Sequence, residues 1–154
     1  MKSSKIKKAG FNNRKKSIWV ATAQAEYELP YSRLMLKPTS KNLIEEIFVD
    51  KELASTCVTY RLRNGKEDSV PLDAFLDFNR DPEYLRRMEL YKMTIEAEKL
   101  VKKSKMSKRA ICRLMGTSLS QLSRLLDTRN YSKSMDQMHK LLTILGAEVE
   151  IRVA

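Results

Sequence analysis

Residues 107–127, SKRAICRLMGTSLSQLSRLLD, leave the chain few ways to fold. Ile111, Leu114 and Met115 recur at helical spacing, and Leu122, Leu125 and Leu126 repeat the pattern after a break. Two short helices with Gly116 between them are therefore predicted. The residue just past a helix end often takes a left-handed backbone conformation that only glycine adopts without steric penalty, so Gly116 stops the first helix. Ser118 starts the second. Its hydroxyl can accept from an orphan amide of the new turn, and Gln121 three residues on can reach back to complete a capping box.

The order of small residue, glycine four positions later, capping serine and buried aliphatic falls on Cys112, Gly116, Ser118 and Leu122. In this the stretch resembles a Cro/C1-type (XRE) helix-turn-helix, and the resemblance continues through the following helix, over residues 94–146, roughly a third of the chain. Two positions depart from the pattern. Lys108 stands where such proteins usually carry glutamine, and Cys112 where they usually carry alanine. Cysteine is small and buries well, and lysine still meets a phosphate, as a point charge without the paired geometry of an amide.

The resemblance implies a second helix lying in the major groove of DNA, its first turn against base edges, while the preceding helix crosses the backbone. It puts Leu119, Ser120, Gln121 and Arg124 at base edges, where glutamine suits adenine, arginine suits guanine and leucine a thymine methyl. Ser107, Lys108, Arg109, Ser123, Arg129, Asn130 and Lys133 fall where phosphates would be met. Ile111, Cys112, Leu114, Met115, Leu122 and Leu125 are assigned to packing.

Charge supports a polyanionic partner once it is divided along the chain. The total of +11 is made of +7 over residues 1–16, −4 over 17–98, +9 over 99–133 and −1 over 134–154. Positive charge thus gathers at the N-terminus and around the motif, as a polyanion-binding surface requires. No apolar run approaches the eighteen or so residues of a membrane helix, and no apolar segment of a signal peptide follows the basic N-terminus. A cytoplasmic protein is expected. Cys57 and Cys112 are too few and too far apart for a disulfide framework or a metal knuckle.

Taken in order, residues 1–16 have the make-up of a disordered basic arm able to add sequence-independent phosphate contacts. Residues 17–80 change to short β-branched and aromatic segments broken by Pro30, Pro38, Pro71 and Asn64-Gly65, and read as a small α+β domain. Its clearest part is a hairpin within STCVTYRLRNGKEDSVPL. A three-residue loop closed by a glycine bulge sets Val58 against Val70 and Tyr60 against Asp68, keeping each strand's apolar residues on one face. Residues 44–49 are a candidate third strand, residues 29–37 are ambiguous, and Trp19 belongs in the core or against a partner.

Residues 81–154 form the helix-turn-helix domain. Asp81 can cap a helix that Pro82 begins, and a change of apolar face near Met93 suggests a bend or break, after which residues 94–103 would be the first helix of the DNA-binding domain. Ser134 opens the last helix, with Met138, Leu141, Leu142 and Leu145 at core spacing and Gly146 at its end. The alternation of Val149, Ile151 and Val153 with polar residues predicts a final strand, paired with the N-terminal sheet or with its copy in a second subunit. The expected fold class is α+β: a small N-terminal antiparallel sheet domain, then an all-α helix-turn-helix domain with a C-terminal strand.

An enzyme finds little support. All four glycines have structural accounts, no glycine-rich loop remains to cradle a phosphate, and His139, the single histidine, has no nucleophile spaced to use it. Neither cofactor nor metal is expected. The acidic residues Glu45, Glu46, Asp50, Glu52, Asp73 and Asp77 could supply an acid-base pair, or a metal site in a nuclease, but are read as a solvated face. The sequence therefore points to a dimeric DNA-binding transcription regulator, a repressor. The alternative is an antitoxin of a toxin-antitoxin pair, neutralising a protein toxin and regulating its own promoter, by analogy with that family's small members.

Overall fold

The computed structural model describes residues 4–154 and divides the chain into two compact units, one reaching to Tyr84 and the other comprising Leu85–Ala154. The first unit contains two three-stranded antiparallel sheets. Strands β1 (Lys8–Asn12), β2 (Ser17–Ala21) and β3 (Glu26–Pro30) form one, in that order; β4 (Ile44–Asp50), β5 (Cys57–Leu62) and β6 (Glu67–Pro71) form the other. A single 3-10 turn, Tyr31–Arg33, follows β3, and helix α1 (Leu72–Phe78) follows β6. The period of two decides which side chains go inside. Ile18 and Val20 of β2, and Val58, Tyr60 and Leu62 of β5, lie on the inner faces and join Leu29, Ile44 and Phe75 in one core. Complete burial of an aliphatic or aromatic side chain of this size contributes about 1.5–3 kcal/mol.

The β5–β6 hairpin has the register that its apolar alternation demands, Val58 opposite Val70 and Tyr60 opposite Asp68. Leu62 N–H donates to Lys66 O, Gly65 N–H donates to Leu62 O, and Gly65 sits at φ 83°, as the expected three-residue loop requires. Residues 44–50 supply the third strand, and the ambiguous stretch after Leu29 resolves into the end of β3 and the 3-10 turn.

Two expectations for this half are overturned. The small sheet is in fact two sheets, because residues 8–12 form a strand where a disordered basic arm was expected; residues 1–3 of that arm lie outside the described residues. Ile6 is buried, Phe11 packs against the core, and Trp19 on β2 lies directly over Gly10 on β1. A Cβ at position 10 would fall 2.5 Å from the indole ring, so the strand needs glycine there. Side chains tie the sheets together: Asn13 Nδ2 donates to Ile44 O at 2.9 Å, and Tyr31 Oη donates to Asn13 Oδ1 at 2.7 Å.

The second unit is helical: most of α2 (Pro82–Lys103), then α3 (Lys108–Met115), α4 (Leu119–Leu125) and α5 (Met135–Ile144). Asp81 caps α2, its Oδ1 accepting from Tyr84 N–H at 2.9 Å. The helix then runs unbroken through Met93, contrary to the expected bend, because Leu90, Thr94 and Ala97 form one buried stripe against the other helices. Among the described residues no helix is long and apolar enough to cross a membrane.

The expected C-terminal strand is absent, and with it the sequence-derived fold class of an all-α domain ending in a strand. Among the described residues the fold is α+β, with two three-stranded antiparallel sheets and five helices. Ala147 N–H closes the end of α5 by donating to Leu142 O, and Ala147 and Val149 pack on the helical core. Ile151 and Val153 are left 81% and 93% exposed. The two-residue alternation has no partner strand to satisfy its backbone, so helix packing decides the conformation instead.

Burial raises the Tyr31 phenol to about 12 and raises Tyr60 as well, with the Asp68 charge adding to the second shift. A tyrosine whose folded pKa exceeds its unfolded value binds its proton more tightly in the native state. Its stabilisation is complete below the ordinary value of 10.0 and lost as pH climbs through about 12. Urea unfolding followed by Trp19 fluorescence should therefore show falling stability over that interval. In the double variant Tyr31→Phe, Tyr60→Phe most of the fall should disappear; an unchanged slope would contradict the assignment.

Candidate nucleic-acid interface

Helices α3 and α4 are built by the local rules expected of them. Ser107 Oγ accepts from Ala110 N–H at 3.1 Å and starts α3. Gly116, at φ 69°, ends it: Gly116 N–H donates to Arg113 O, and Thr117 N–H to Cys112 O at 2.9 Å. Ser118 Oγ accepts from Gln121 N–H at 3.2 Å and starts α4. Ile111, Cys112, Met115, Leu122 and Leu125 turn inward onto Leu90, Met138 and Leu141. Leu114, expected in the core, is 56% exposed, because the buried residues of α3 occupy a narrower arc than its apolar sequence suggests.

The four residues expected at base edges, Leu119, Ser120, Gln121 and Arg124, are all exposed. Arg124 makes no ion pair among the described residues, although Asp136 lines the same groove. Gln121 and Arg124 line a shallow groove with Asn130, Ser132 and Ser134, between α4 and the start of α5. Ser120 Oγ and Ser118 Oγ share a hydrogen bond at 3.0 Å.

The residues expected at phosphates divide into two groups. Lys108 and Arg109 are exposed and lack acidic partners among the described residues. Ser107 caps α3, and Ser123 Oγ donates back to Leu119 O at 3.0 Å. Arg129 pairs with Asp127 at 3.3 Å through a guanidinium that is 90% exposed, a contact weak enough for another anion to replace. The Asp127 carboxyl is held below its usual range, first by the Arg129 amide and then by the guanidinium.

Asn130 and Lys133 have structural duties instead. Helix α4 ends without a glycine, so side chains must supply donors to its last carbonyls. Asn130 Nδ2 donates to Arg124 O at 3.1 Å, while its Oδ1 accepts from Ser132 N–H and Ser132 Oγ. Lys133 is only 8% exposed. Its Nζ donates to Leu125 O at 2.8 Å, Asp127 O at 2.8 Å and Thr94 Oγ1 at 2.7 Å, and Thr94 passes its own proton to Leu90 O at 2.6 Å. All three ammonium protons are used, and the end of α4 is joined to α2. Burial pushes the lysine below its ordinary pKa, opposed by the charges of Asp127 and Glu98. Lys133 is thus corrected from a phosphate contact to a helix-capping residue, since its charge is spent inside the fold.

Lys140 plays the matching part for α3, donating from α5 to Met115 O at 3.0 Å. The loop between α4 and α5 is pinned again at Tyr131, whose carbonyl accepts from Arg86 at 3.1 Å and whose ring lies 5.9 Å beneath the Arg87 guanidinium. Lysines on exposed-looking polar stretches carry no sequence signal of such roles. The missing glycine after Leu126 was the one available clue.

Together these contacts define two short helices joined by a glycine turn, the second presenting a glutamine and an arginine on a backbone fixed at both ends. Compared with family models, curated proteins and solved structures, the chain matches none of them.

Replacing Lys133 with methionine keeps the aliphatic stem but strands three acceptors. Each unsatisfied buried polar group costs about 1–3 kcal/mol, and relaxation recovers part of the total, so Lys133→Met should lower stability by about 2–4 kcal/mol. Lys108→Met should change it by less than about 0.5 kcal/mol. Urea titration followed by circular dichroism at 222 nm checks both, and equal effects would refute the capping role.

Proposed function

We propose that this chain is a sequence-specific DNA-binding regulator of the Cro/C1-type helix-turn-helix kind, a dimeric repressor acting in the cytoplasm. One observation carries the reading. Helices α1, α2 and α5 each place an acidic residue in the first turn (Asp73, Glu83 and Asp136), where it complements the positive end of the helix dipole, whereas α3 and α4 place none. At α3 the first turn instead carries Lys108 and Arg109. Cations at that end are unfavourable in the free protein and become favourable once an anion such as a DNA phosphate arrives. The groove-facing residues complete the requirement: Gln121 and Arg124 are exposed and can each make paired hydrogen bonds to a base edge. Two copies would read half-sites about one helical turn apart.

A second reading, an antitoxin whose first unit neutralises a basic protein toxin, is favoured by Phe48. It is 41% exposed on β4, in a recess it shares with Asp50, Glu52 and Glu67. A small reading frame adjoining this gene, whose product binds the chain and is released by Phe48→Ala, would support it.

The regulator is tested by electrophoretic mobility shift on the DNA upstream of the chain's own gene, against an excess of unrelated duplex. A specific complex is expected. Since a bidentate base contact contributes about 1–3 kcal/mol of discrimination, the double variant Gln121→Ala, Arg124→Ala should weaken that complex by about 100-fold. No specific complex, or one that survives the double substitution, would sink the reading.

A further inference from the structure

The β1–β2 hairpin closes through four residues, Asn13, Arg14, Lys15 and Lys16, of which the last three are consecutive exposed cations. None of the three meets a carboxylate among the described residues. Three neighbouring charges of one sign repel one another, so a merely soluble turn would not be expected to concentrate them.

The turn is also held rigidly. Asn12 Oδ1 accepts from both Arg14 N–H and Lys15 N–H at 3.0 Å. Asn13 is fixed from both sides by Ile44 O and Tyr31 Oη, and Tyr31 N–H donates to Lys16 O at 2.8 Å. Lys16 sits at φ 56°, a left-handed conformation that glycine or asparagine adopts more cheaply. Ala54, Ser55 and Arg80 hold a similar conformation, and at position 16 it closes the turn with a cation at its tip. Beside it, Lys16 and Asn13 share a recess with Thr39 and Ser40, whose loop is tied by the Thr39–Asn42 bridge. Three cations on a backbone held in place, one of them beside the hydroxyls of Thr39 and Ser40 on a recess also lined by Tyr31, Pro38 and Leu43, form a surface suited to phosphodiester oxygens.

We propose that this hairpin tip is a second, sequence-independent site for the phosphate backbone of duplex DNA. The choice of duplex rests on the regulator reading above; the cationic site itself does not. Because the backbone of the tip is already held, the only conformational entropy opposing binding is that of the side chains, whereas a disordered arm would lose backbone freedom too. Its free energy comes from counterion release, so each phosphate contact adds about 0.9 to the slope of log affinity against log salt.

The test uses the full chain and fluorescence anisotropy on a 24-base-pair random-sequence duplex over a series of salt concentrations. The triple variant Arg14→Gln, Lys15→Gln, Lys16→Asn removes the charge while giving position 16 a residue suited to its φ. The salt slope should fall by about 2–3, affinity in low salt should drop at least tenfold, and the preference for a specific operator over random duplex should stay unchanged. Arg14→Lys, Lys15→Arg, Lys16→Arg should restore the slope, which separates charge from any damage to the fold. Combining the triple variant with Gln121→Ala, Arg124→Ala distinguishes the two sites. If the regulator reading fails, the helix substitutions change nothing while the hairpin substitutions still lower the slope. An unchanged slope in the triple variant overturns the proposal. So does a loss seen only on single-stranded RNA or on phosphatidylserine vesicles, with duplex binding intact.

Discussion

The ammonium of Lys133 gathers the end of the second motif helix, the loop after it and helix α2 around one buried charge. An isolated helix of seven residues would scarcely form in water, because nucleation outweighs so few hydrogen bonds. Ser118 secures its first turn, but no glycine follows to fold its last carbonyls back. Lys133 answers that need with three charge-assisted bonds. The negative end of the helix dipole and the carbonyl acceptors together offset the loss of hydration. Lys140 does the same for α3 with one bond. The exposed side chains of Gln121 and Arg124 are therefore displayed by a backbone determined at both ends, the preorganisation that a binding site built on a helix needs.

What could be read from the sequence was what adjacent residues decide among themselves. Ser107, Ser118 and Ser134 each accept a bond from the amide three residues on, Gly116 takes the left-handed cap, and the β5–β6 register follows from keeping Val58 and Tyr60 on one face. What could not be read depended on partners distant in the chain. Lys133 looks like any lysine in a polar loop until Thr94, 39 residues earlier, is placed beside it. Residues 8–12 lie inside a stretch, 1–16, that is basic and poor in apolar groups, so composition suggested disorder. Only their pairing with β2, and the fit of Trp19 over Gly10, make a strand of them. The C-terminal alternation erred in the opposite direction, since a period of two is necessary for a half-buried strand and never sufficient without an edge to join.

The candidate site was legible in part for the same reason. Exposure of Leu119, Ser120, Gln121 and Arg124 follows from helical spacing once Leu122 and Leu125 are inward. The phosphate set was less secure, because it was assigned by chemical type. Asn130 and Lys133 have suitable chemistry and suitable positions in the chain, yet their polar atoms are already committed to carbonyls of α4 and its loop. Lys108, Arg109 and Arg129 keep their charge at the surface.

Where local rules are obeyed everywhere except at a few positions, the exceptions carry information about function. A carboxylate in the first turn of a helix contributes about 0.3–1 kcal/mol, and three of the five helices include one. The two that omit it are the two helices of the motif, and one of them substitutes cations. The hairpin tip gathers charge in the same direction, with Arg14, Lys15 and Lys16 adjacent, exposed and without a carboxylate partner among the described residues. Burial cannot account for these choices, since Lys108, Arg109 and Lys16 are all exposed. Electrostatics within the free chain opposes the cations at α3 and at the hairpin tip, because they stand where positive charge already stands, and α4 forgoes a favourable carboxylate. A polyanion arriving from outside would turn each of these small costs into a favourable interaction, and one such ligand would account for all of them.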